Sequence, residues 1–414
     1  MKFSILTSLA LSVSALATRD VNIRRSPSPD TTIEDATQKV NNLARKALHQ
    51  ALATITENSD AKLTGRATTC TSKNVSVRKE WGALTKAERT AYITAVKCLQ
   101  AKPPKTPTSV APGARSRFDD FVGAHINQTL TIHWTGTFLV WHRYYVWQYE
   151  KALREECGFG GTQPYWDWAK TAVTGLHASP IFDGSDTSLS GDGEYIPNQG
   201  QIILFGNNSL PGFTPVYLDA GTGGGCIKSG PFKGLQVNMG PVGLSVPGDV
   251  ATVSNPAGPL AYNPRCVKRS LTDQSNRDFA NASSVLSLLT RNDDVLGFQT
   301  EMQGLPGNIG VHGGGHYALG GDPGRDAWVS PGDPAFYLHH GMIDRAWWLW
   351  QTLKPSERTS GPKALSGTNT FLNMPPSANT TYQDFIDLGY AAGPSRQIKD
   401  LMSTTAGPFC YVYA

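Results

Sequence analysis

Seven of the nine histidines lie in two short stretches of the chain. Three occur within residues 125–142, around the aromatic run HWTGTFLVWH, and four occur within residues 312–340. An even distribution would place fewer than one histidine in either stretch. Imidazole nitrogens are common ligands of zinc and copper. The clustering therefore predicts that two distant parts of the chain converge on a metal, whereas His49 and His177 are interpreted as structural or surface residues.

The second stretch contains the pattern VHGGGH, in which His312 and His316 are four residues apart. On a helix this spacing places both imidazoles on one face, as a chelating pair. The three intervening glycines disfavour a helix by about 1 kcal/mol each. The segment is therefore either a helix that a metal stabilises or a glycine-rich loop. No glutamate follows His312, so the zinc-protease motif is absent.

Two aromatic segments share a local pattern. Phe138 precedes His142 by four residues, and Phe336 precedes His340 by four residues. On a helix, each pair brings a phenyl ring one turn before an imidazole on the same face. The repeat favours His340 over its neighbour His339, which would point about 100° away around the helix. The alternative is a coincidence between two aromatic core helices.

Six of the histidines thus form two sets of three. The first set is His125, His133 and His142, and the second set is His312, His316 and His340. Neither set contains a thiolate or an evident carboxylate ligand, which argues against blue copper and against an iron site of two histidines and one carboxylate. Three imidazoles suit zinc or copper. Two such sets suit a dinuclear copper centre best, with the metals about 3.5–4 Å apart.

Helices must hold these histidines in place. The segment LTKAERTAYITAVKCLQ (84–100) predicts a helix that begins with a capping box of Thr85 and Glu88. Asp333 and Pro334 suit the start of a helix in the last histidine segment. Further helices are predicted over residues 138–156, 283–303 and 330–353. Residues 183–265 are rich in Gly, Pro, Asn and Ser, which is typical of loops with short strands, so we expect a mainly α fold.

The N-terminal segment MKFSILTSLALSVSALA (1–17) has the pattern of a secretory signal peptide. Residues 18–66 include Arg24 and Arg25 and a polar helical stretch, and they form an N-terminal extension that could be a pro-segment. One catalytic domain is predicted over residues 67–414. No later apolar run reaches the ~18 residues of a membrane span. A net charge of +4 without a basic run gives little support for nucleic-acid binding.

The six cysteines suit a secreted protein, and we expect them to form disulfides. Six cysteines allow about 15 pairings, so the sequence leaves the connectivity open. Asn-x-Ser/Thr sequons predict glycosylated surface loops. The sequons begin at Asn74, Asn127, Asn207, Asn281 and Asn379.

Three segments resemble the type-3 copper family, which comprises tyrosinases, catechol oxidases and mollusc-type hemocyanins. They are HWTGTFLVWHRYYVWQYEKAL, PYWDW (164–168) and DPAFYLHHGMIDRAWWLWQ. The resemblance covers about residues 70–414. The spacing of the first histidine set is similar to that of short secreted fungal members. The resemblance implies a four-helix bundle that houses a dinuclear copper site, with extensive loops and a few short strands around it. It also implies that the first histidine set holds copper A and the second copper B, with O2 as co-substrate.

Several positions depart from the family pattern. Thr131 stands where many fungal tyrosinases have a cysteine, so no thioether crosslink can form. Gly313 stands where many efficient tyrosinases have an asparagine that helps to hold a water, and Glu301 or Gln303 could take the place of the acid that acts with it. These departures weaken the case for strong hydroxylation of monophenols.

The resemblance also indicates the approach to the metals. Ala327 aligns with a bulky gate residue of plant catechol oxidases, which suggests an open entrance lined by Gly313, Tyr317 and Ala327. Asp344 either orients an imidazole or forms an ion pair with a nearby arginine. The final CYVYA resembles the end of the family's catalytic core, so we expect no C-terminal lid domain.

The sequence thus predicts a secreted dicopper oxidase that converts o-diphenols, and o-aminophenols, to o-quinones and reduces O2 to water. The alternatives are a true tyrosinase that hydroxylates monophenols, a hemocyanin-like oxygen carrier and, much less favoured, a mononuclear zinc hydrolase. The expected partner is a small phenolic substrate, with no nucleic acid and no membrane. The expected oligomeric state is a monomer or a weak homodimer.

Overall fold

The computed structural model describes residues 32–60, 70–205, 214–305 and 307–414. The predicted signal peptide, the Arg24–Arg25 site and the sequon at Asn207 lie outside these ranges. The helices are α1 (Ile33–Asp60), α2 (Lys86–Ala101), α3 (Arg117–Ile132), α4 (Phe138–Cys157), α5 (Trp168–Thr174), α6 (Asp273–Phe279), α7 (Ala282–Arg291), α8 (Val295–Gln303), α9 (Val311–Leu319), α10 (Gly321–Gly324), α11 (Ala335–Leu353) and α12 (Pro355–Thr359). The mainly α fold class is therefore confirmed.

The strands are short and occur only in pairs within the described ranges. They are β1 (Ser76–Arg78), β2 (Gly193–Tyr195), β3 (Ile202–Leu204), β4 (Val216–Leu218), β5 (Gly224–Ile227), β6 (Gln236–Val237), β7 (Leu244–Ser245), β8 (Thr252–Val253), β9 (Arg265–Cys266), β10 (Phe385–Ile386), β11 (Arg396–Gln397) and β12 (Tyr411–Tyr413). The parallel pair is β1 with β12, and the other five pairs are antiparallel. The prediction of loops with short strands over residues 183–265 is correct.

Helices α3, α4, α9 and α11 form the bundle that carries the two histidine sets, and α11 packs against both α4 and α9. Every residue of α11 from Ala335 to Gln351 is buried. A helix that is apolar on all sides requires neighbours on all sides, and α1, α4, α7 and α9 supply them. Over the described ranges, no helix has the length and apolarity that crossing a bilayer requires.

Local sequence signals set several helix ends. The predicted capping box is present at the start of α2, where Thr85 accepts from Glu88 N and Glu88 accepts from Thr85 N. Ser116 and Asp119 form a second capping box at the start of α3. Helix α4 ends at Gly158, whose φ of 68° is the left-handed conformation that glycine adopts without strain. The caps at the start of α3 and the end of α4 lie on the helices that carry the first histidine set.

Two predicted helix boundaries are wrong. Residues 283–303 form two helices, because Asp294 accepts from Gly297 N and starts α8. Trp350, a core residue, stabilises the break between α7 and α8, because its Nε1 donates to Asn292 O at 2.8 Å. Helix α11 begins at Ala335 and not at residue 330, since Asp333 accepts from Ala335 N after a short 3-10 turn.

The glycine-rich segment is a helix, α9, and its glycines let it pack closely. A methyl group on Gly314 would lie 2.7 Å from Phe279 Cβ, and one on Gly315 would overlap the His339 ring. The free-energy cost of placing glycine in a helix is therefore offset by the close packing of α9 against Phe279 and His339, which no larger residue permits. This resolves the choice between helix and loop that the sequence left open.

Helix α1 belongs to the described part of the N-terminal extension. It looks polar in sequence, but Ala36, Val40, Ala47 and Ile55 form a buried stripe along it. This stripe packs against the catalytic bundle at α7 and α11. The extension thus contributes to the core, and whether it is removed in the mature protein stays a prediction.

Three disulfides join all six cysteines: Cys70–Cys410, Cys98–Cys157 and Cys226–Cys266. The first lies beside the β1–β12 pair and links parts of the chain that are 340 residues apart. The second joins α2 to the end of α4. The disulfide prediction is confirmed, and the structure selects one connectivity among those that the sequence allowed.

Candidate metal centre

The first histidine set lies at the junction of α3 and α4. His125 is on α3, His133 is the residue that ends α3, and His142 is on α4. All three are buried, with exposed fractions of 0, 3 and 2%. Each Nδ1 contacts a backbone oxygen: His125 that of Trp328 (2.8 Å), His133 that of Thr129 (3.0 Å) and His142 that of Phe138 (2.8 Å). The three Nε2 atoms therefore face the interior of the bundle with their lone pairs free.

The second histidine set lies on α9 and α11. The Nε2 atom of His316 is 3.2 Å from that of His312 and 3.4 Å from that of His340. Phe336 stacks on His340 with ring centroids 4.0 Å apart. On α4, Phe138 precedes His142 by the same four residues, and their ring centroids are 5.0 Å apart. The paired Phe–His pattern in the sequence thus corresponds to two phenyl rings that wall the cluster.

The two sets face each other across the bundle. His142 stacks on His340 with centroids 4.6 Å apart, and His133 stacks on His312 at 5.7 Å. Residues from remote parts of the chain therefore converge on a single cluster of imidazoles. Within the described residues, the potential ligand atoms of the first set lie within 4.8 Å of one another, and so do those of the second set together with His339.

The electrostatics of this cluster fit a bound cation. Burial lowers the pKa of all six imidazoles, to about 4 for His133 and about 3 for His316, so all are neutral at pH 7. In the first set, neutral imidazoles that donate from Nδ1 to backbone carbonyls direct their Nε2 lone pairs at one another. Such an arrangement is repulsive without a shared electrophile, and an all-nitrogen donor set suits copper.

His339 is adjacent to the second set, but both of its nitrogens have other partners. Trp168 Nε1 donates to His339 Nδ1 at 3.1 Å, so His339 Nε2 carries the hydrogen and donates to His312 O at 3.0 Å. His339 therefore has no free lone pair for a metal. Sequence reasoning favoured His340 over His339 but missed this role of His339, for which Trp168 in the PYWDW motif was the available signal.

Asp344 does not orient an imidazole; the ion-pair interpretation is the correct one. Its carboxylate accepts from Arg143 Nε, Tyr411 OH and Tyr413 OH, each at 2.6 Å. Arg78 Nη1 lies 3.3 Å away. Burial alone would raise the pKa of Asp344, but the two arginines hold it below its usual value. The residue thus ties α11 to α4, to β1 and to β12, one turn beyond His340.

Glu301 and Gln303 have different surroundings. Glu301 Oε2 accepts from Asn292 Nδ2 at 2.5 Å, on the side of α8 toward α7. Gln303 Oε1 accepts from Trp134 N at 2.8 Å, next to His133. Gln303, a neutral amide, is therefore the one that borders the histidine cluster, and Trp134 is held there in a left-handed conformation with φ 48°.

One face of α9 is less buried than the rest of the site. Gly313, His316 and Tyr317 are half-buried on this face, and Ala327, in the segment after α10, is exposed. Ile309 packs at the edge of this face against the β3–β4 pair. The three residues predicted to line the approach thus lie on the more exposed side of the second set.

Five buried imidazoles and the half-buried imidazole of His316 thus form two all-nitrogen donor sets that could hold a pair of metal ions within a helical bundle. Residues 115–353 match the family model described as the common central domain of tyrosinase. The chain therefore belongs to the tyrosinase family of type-3 copper oxidoreductases, whose members use a dinuclear copper site and O2.

The chain is similar to several fungal proteins of this family. Tyrosinase P of Aspergillus terreus is 44% identical over 340 residues, which cover 81% of this chain and 91% of that protein. N-acetyl-6-hydroxytryptophan oxidase of Emericella nidulans is 40% identical over 356 residues, or 83% and 93% of the two chains. A variant of polyphenol oxidase from Thermothelomyces thermophila has a similar structure, with a TM-score of 0.82, 47% identity and coverage of 92% of this chain and 100% of that chain.

Proposed function

We propose that the protein oxidises o-diphenols, and related o-aminophenols, to the corresponding o-quinones. Two diphenols lose two electrons and two protons each, and one O2 is reduced to two waters. A copper pair held by the six histidines supplies the electron transfer between the phenol and O2. The observation that supports this most directly is the cluster of neutral, buried imidazoles with converging Nε2 atoms.

The protein's own groups perform three tasks in this proposal. Backbone carbonyls of Thr129, Phe138 and Trp328 fix the tautomer and orientation of the first set, leaving Nε2 for the metal. Phe138 and Phe336 cover the imidazoles and exclude water from the reacting centre. The half-buried face of α9 around Gly313 is the proposed side of approach for the phenol.

The preference for diphenols over monophenols is supported by the groups near Gly313. A monophenol must lose its phenolic proton before it is hydroxylated, and a base or a polarised water assists that step. Gly313 has no side chain to hold such a water. Gln303 is neutral and already accepts from Trp134 N, while Glu301 is turned toward Asn292.

Oxygen uptake by the copper-loaded protein tests this proposal. Catechol should give rapid uptake and quinone absorbance, whereas phenol should react slowly and only after a lag that a trace of diphenol shortens. Rapid uptake on phenol without a lag would make the protein a true tyrosinase. Reversible O2 binding without quinone would indicate a carrier.

A double variant, Gly313→Asn with Gln303→Glu, is designed to restore the water-holding groups. It should raise the phenol-to-catechol activity ratio by about 10-fold or more, in the usual range for an added general base. A ratio equal to that of the native protein would remove the support drawn from these two positions.

We also propose that the protein is secreted. The three disulfides support an oxidising compartment, as does the predicted signal peptide. Expression of the full-length chain in a fungal host should place the oxidase in the medium, with the new N-terminus downstream of residue 17. Retention of an uncleaved chain in the cell pellet would contradict this part of the proposal.

A further inference from the structure

One short segment runs along both histidine sets. Gly324 provides a backbone hydrogen-bond partner for the His316 imidazole, and Trp328 O is the partner of His125 Nδ1 at 2.8 Å. Residues 325–327 lie between these two attachment points. Ala327 is exposed, so this stretch runs from the histidine cluster to the protein surface.

Arg325, in this stretch, has no counter-ion among the described residues. It is 9% exposed; its Nε lies 3.4 Å from Gly321 O, and its Nη1 is buried without a partner. Burial lowers its pKa to about 10, so the guanidinium is still charged at pH 7. A buried charge without a partner is costly to the fold.

The two carboxylates nearest in sequence are already engaged. Asp322 accepts from Arg265 through both oxygens, at 2.6 and 2.9 Å. Asp326 accepts from the backbone nitrogens of Val242 (2.7 Å) and Trp328 (2.9 Å). Neither carboxylate forms an ion pair with Arg325 in the described part of the chain, so its charge is compensated only partly and at longer range, by Asp322.

Arg325 also interacts with the half-buried face of α9 beside the second histidine set. Its charge acts on Tyr317, one turn beyond Gly313 on the half-buried side of α9. Tyr317 lies 3.9 Å from the position that a methyl group on Gly313 would occupy. A phenol placed over Gly313 therefore has an unpaired arginine on the side of Tyr317.

We propose that Arg325 binds the carboxylate of the substrate, so that the protein prefers o-diphenols that carry an acidic side chain. This inference rests on the proposed diphenol oxidation. Arginine forms paired, charge-assisted hydrogen bonds with a carboxylate, and its planar group suits that geometry. A neutral catechol would leave the guanidinium unpaired, and it would be bound less well for that reason.

Kinetics with a matched pair of substrates test the inference. The pair is 3-(3,4-dihydroxyphenyl)propanoate and its methyl ester, which share the diphenol and differ in charge. The native enzyme should show a higher kcat/KM for the acid. Arg325→Gln should lower the acid-to-ester ratio by about 10-fold or more, mainly through KM, and Arg325→Lys should retain part of the preference. Arg291→Gln, at an exposed position, is the control and should leave the ratio unchanged.

The outcomes separate this inference from the proposed function. Oxidation of neither substrate by the native enzyme would contradict diphenol oxidation itself. Oxidation of both with equal kcat/KM, or a ratio that Arg325→Gln leaves unchanged, would overturn the role of Arg325 alone. Calorimetry on the copper-free protein gives a readout without turnover, in which the acid should bind more tightly than the ester and 0.5 M salt should remove the difference. If Arg325→Gln does not fold, the inference is tested by the affinities of the native protein for the acid and for the ester. Equal affinities would overturn the inference.

Discussion

The two histidine sets are built differently. The first lies on α3 and α4, and each of its Nδ1 atoms contacts a backbone carbonyl oxygen at 2.8–3.0 Å. The second lies on α11 and on α9, a nine-residue helix with three glycines. His316 is half-buried, and His340 Nδ1 is buried without a hydrogen bond within the described residues.

The geometry of the two sets is therefore maintained in different ways. Backbone carbonyl oxygens hold the first set, so its geometry is fixed before a metal binds. These carbonyls belong to α3, to α4 and to the segment after α10. In the second set His316 has a backbone partner, Gly324, but the Nδ1 of His340 has none, so this set depends more on side-chain packing from Phe336, His339 and Phe279. We therefore expect the first set to retain its shape, and the second to respond more strongly to changes in its neighbours.

Loss of a ligand should have the largest effect. His142→Ala and His316→Ala should each lower the copper content from two toward one per chain and abolish diphenol oxidation, because both metals are required for the two-electron chemistry. His316→Ala should keep its remaining copper more firmly against a chelator, since the intact first set is pre-organised. Metal analysis during dialysis measures both. His49→Ala, at an exposed position, is the control, and two firmly bound coppers in either ligand variant would contradict the assignment.

Removing the link between the sets should have the next largest effect. Asp344→Asn leaves Arg78 and Arg143 buried with a weakened partner, which should lower the free energy of unfolding by about 3–5 kcal/mol. Denaturant unfolding measures the change, with Asp293→Asn as a control because that side chain is 79% exposed. An equal, small effect of both substitutions would show that the carboxylate does not hold α4 and α11 together.

The close packing of α9 offers a smaller test. Gly315→Ala would place a methyl group against the His339 ring and should lower the free energy of unfolding by about 1–3 kcal/mol, with weaker copper binding at the second set. Gly160→Ala adds a methyl group into open space and should be nearly neutral. If the two variants unfold at the same denaturant concentration, the packing account of the glycines is wrong.

The pH dependence of the copper-free protein tests the protonation state of both sets without any substitution. The pKa is lowered to about 4 for His133 and about 3 for His316, below the ordinary value of about 6.5 in the unfolded chain. Below pH 6.5 the unfolded state therefore takes up protons that the folded state refuses. Stability should fall by about 1.4 kcal/mol per pH unit for each histidine as the pH drops from 6.5 toward 4, and be flat above 7. His133→Gln should reduce this slope, and an unchanged slope would contradict the pKa assignment.

The sequence predicts those features that depend on local signals. The capping box at Thr85, the aromatic helix over 138–156 and the Phe–His spacing each follow from neighbours within about one turn. The helix of the VHGGGH segment could not be predicted, because it depends on Phe279 and on His339, which are remote in sequence. The polar appearance of α1 likewise concealed a buried stripe that only its packing partners reveal.

Long-range partners were also beyond the sequence. From the sequence, Asp344 had two alternative roles, orienting an imidazole or pairing with an arginine. The choice could not be made because its tyrosine partners lie 67 and 69 residues further along the chain. The unpaired charge of Arg325 depends on Arg265 having taken Asp322. Such competition between charges is settled by tertiary structure, and no spacing rule anticipates it.

The contact between Asp344 and the two tyrosines has a consequence for biosynthesis. Helix α11 lacks two of its anchors until Tyr411 and Tyr413 have been synthesised and strand β12 has paired with β1. The site of His340 is thus completed only after the segment that carries Tyr411 and Tyr413 has been synthesised and has folded back onto β1. Copper binding at the second set is accordingly expected to follow the docking of this segment, and a chain in which β12 has not yet paired would bind copper there weakly.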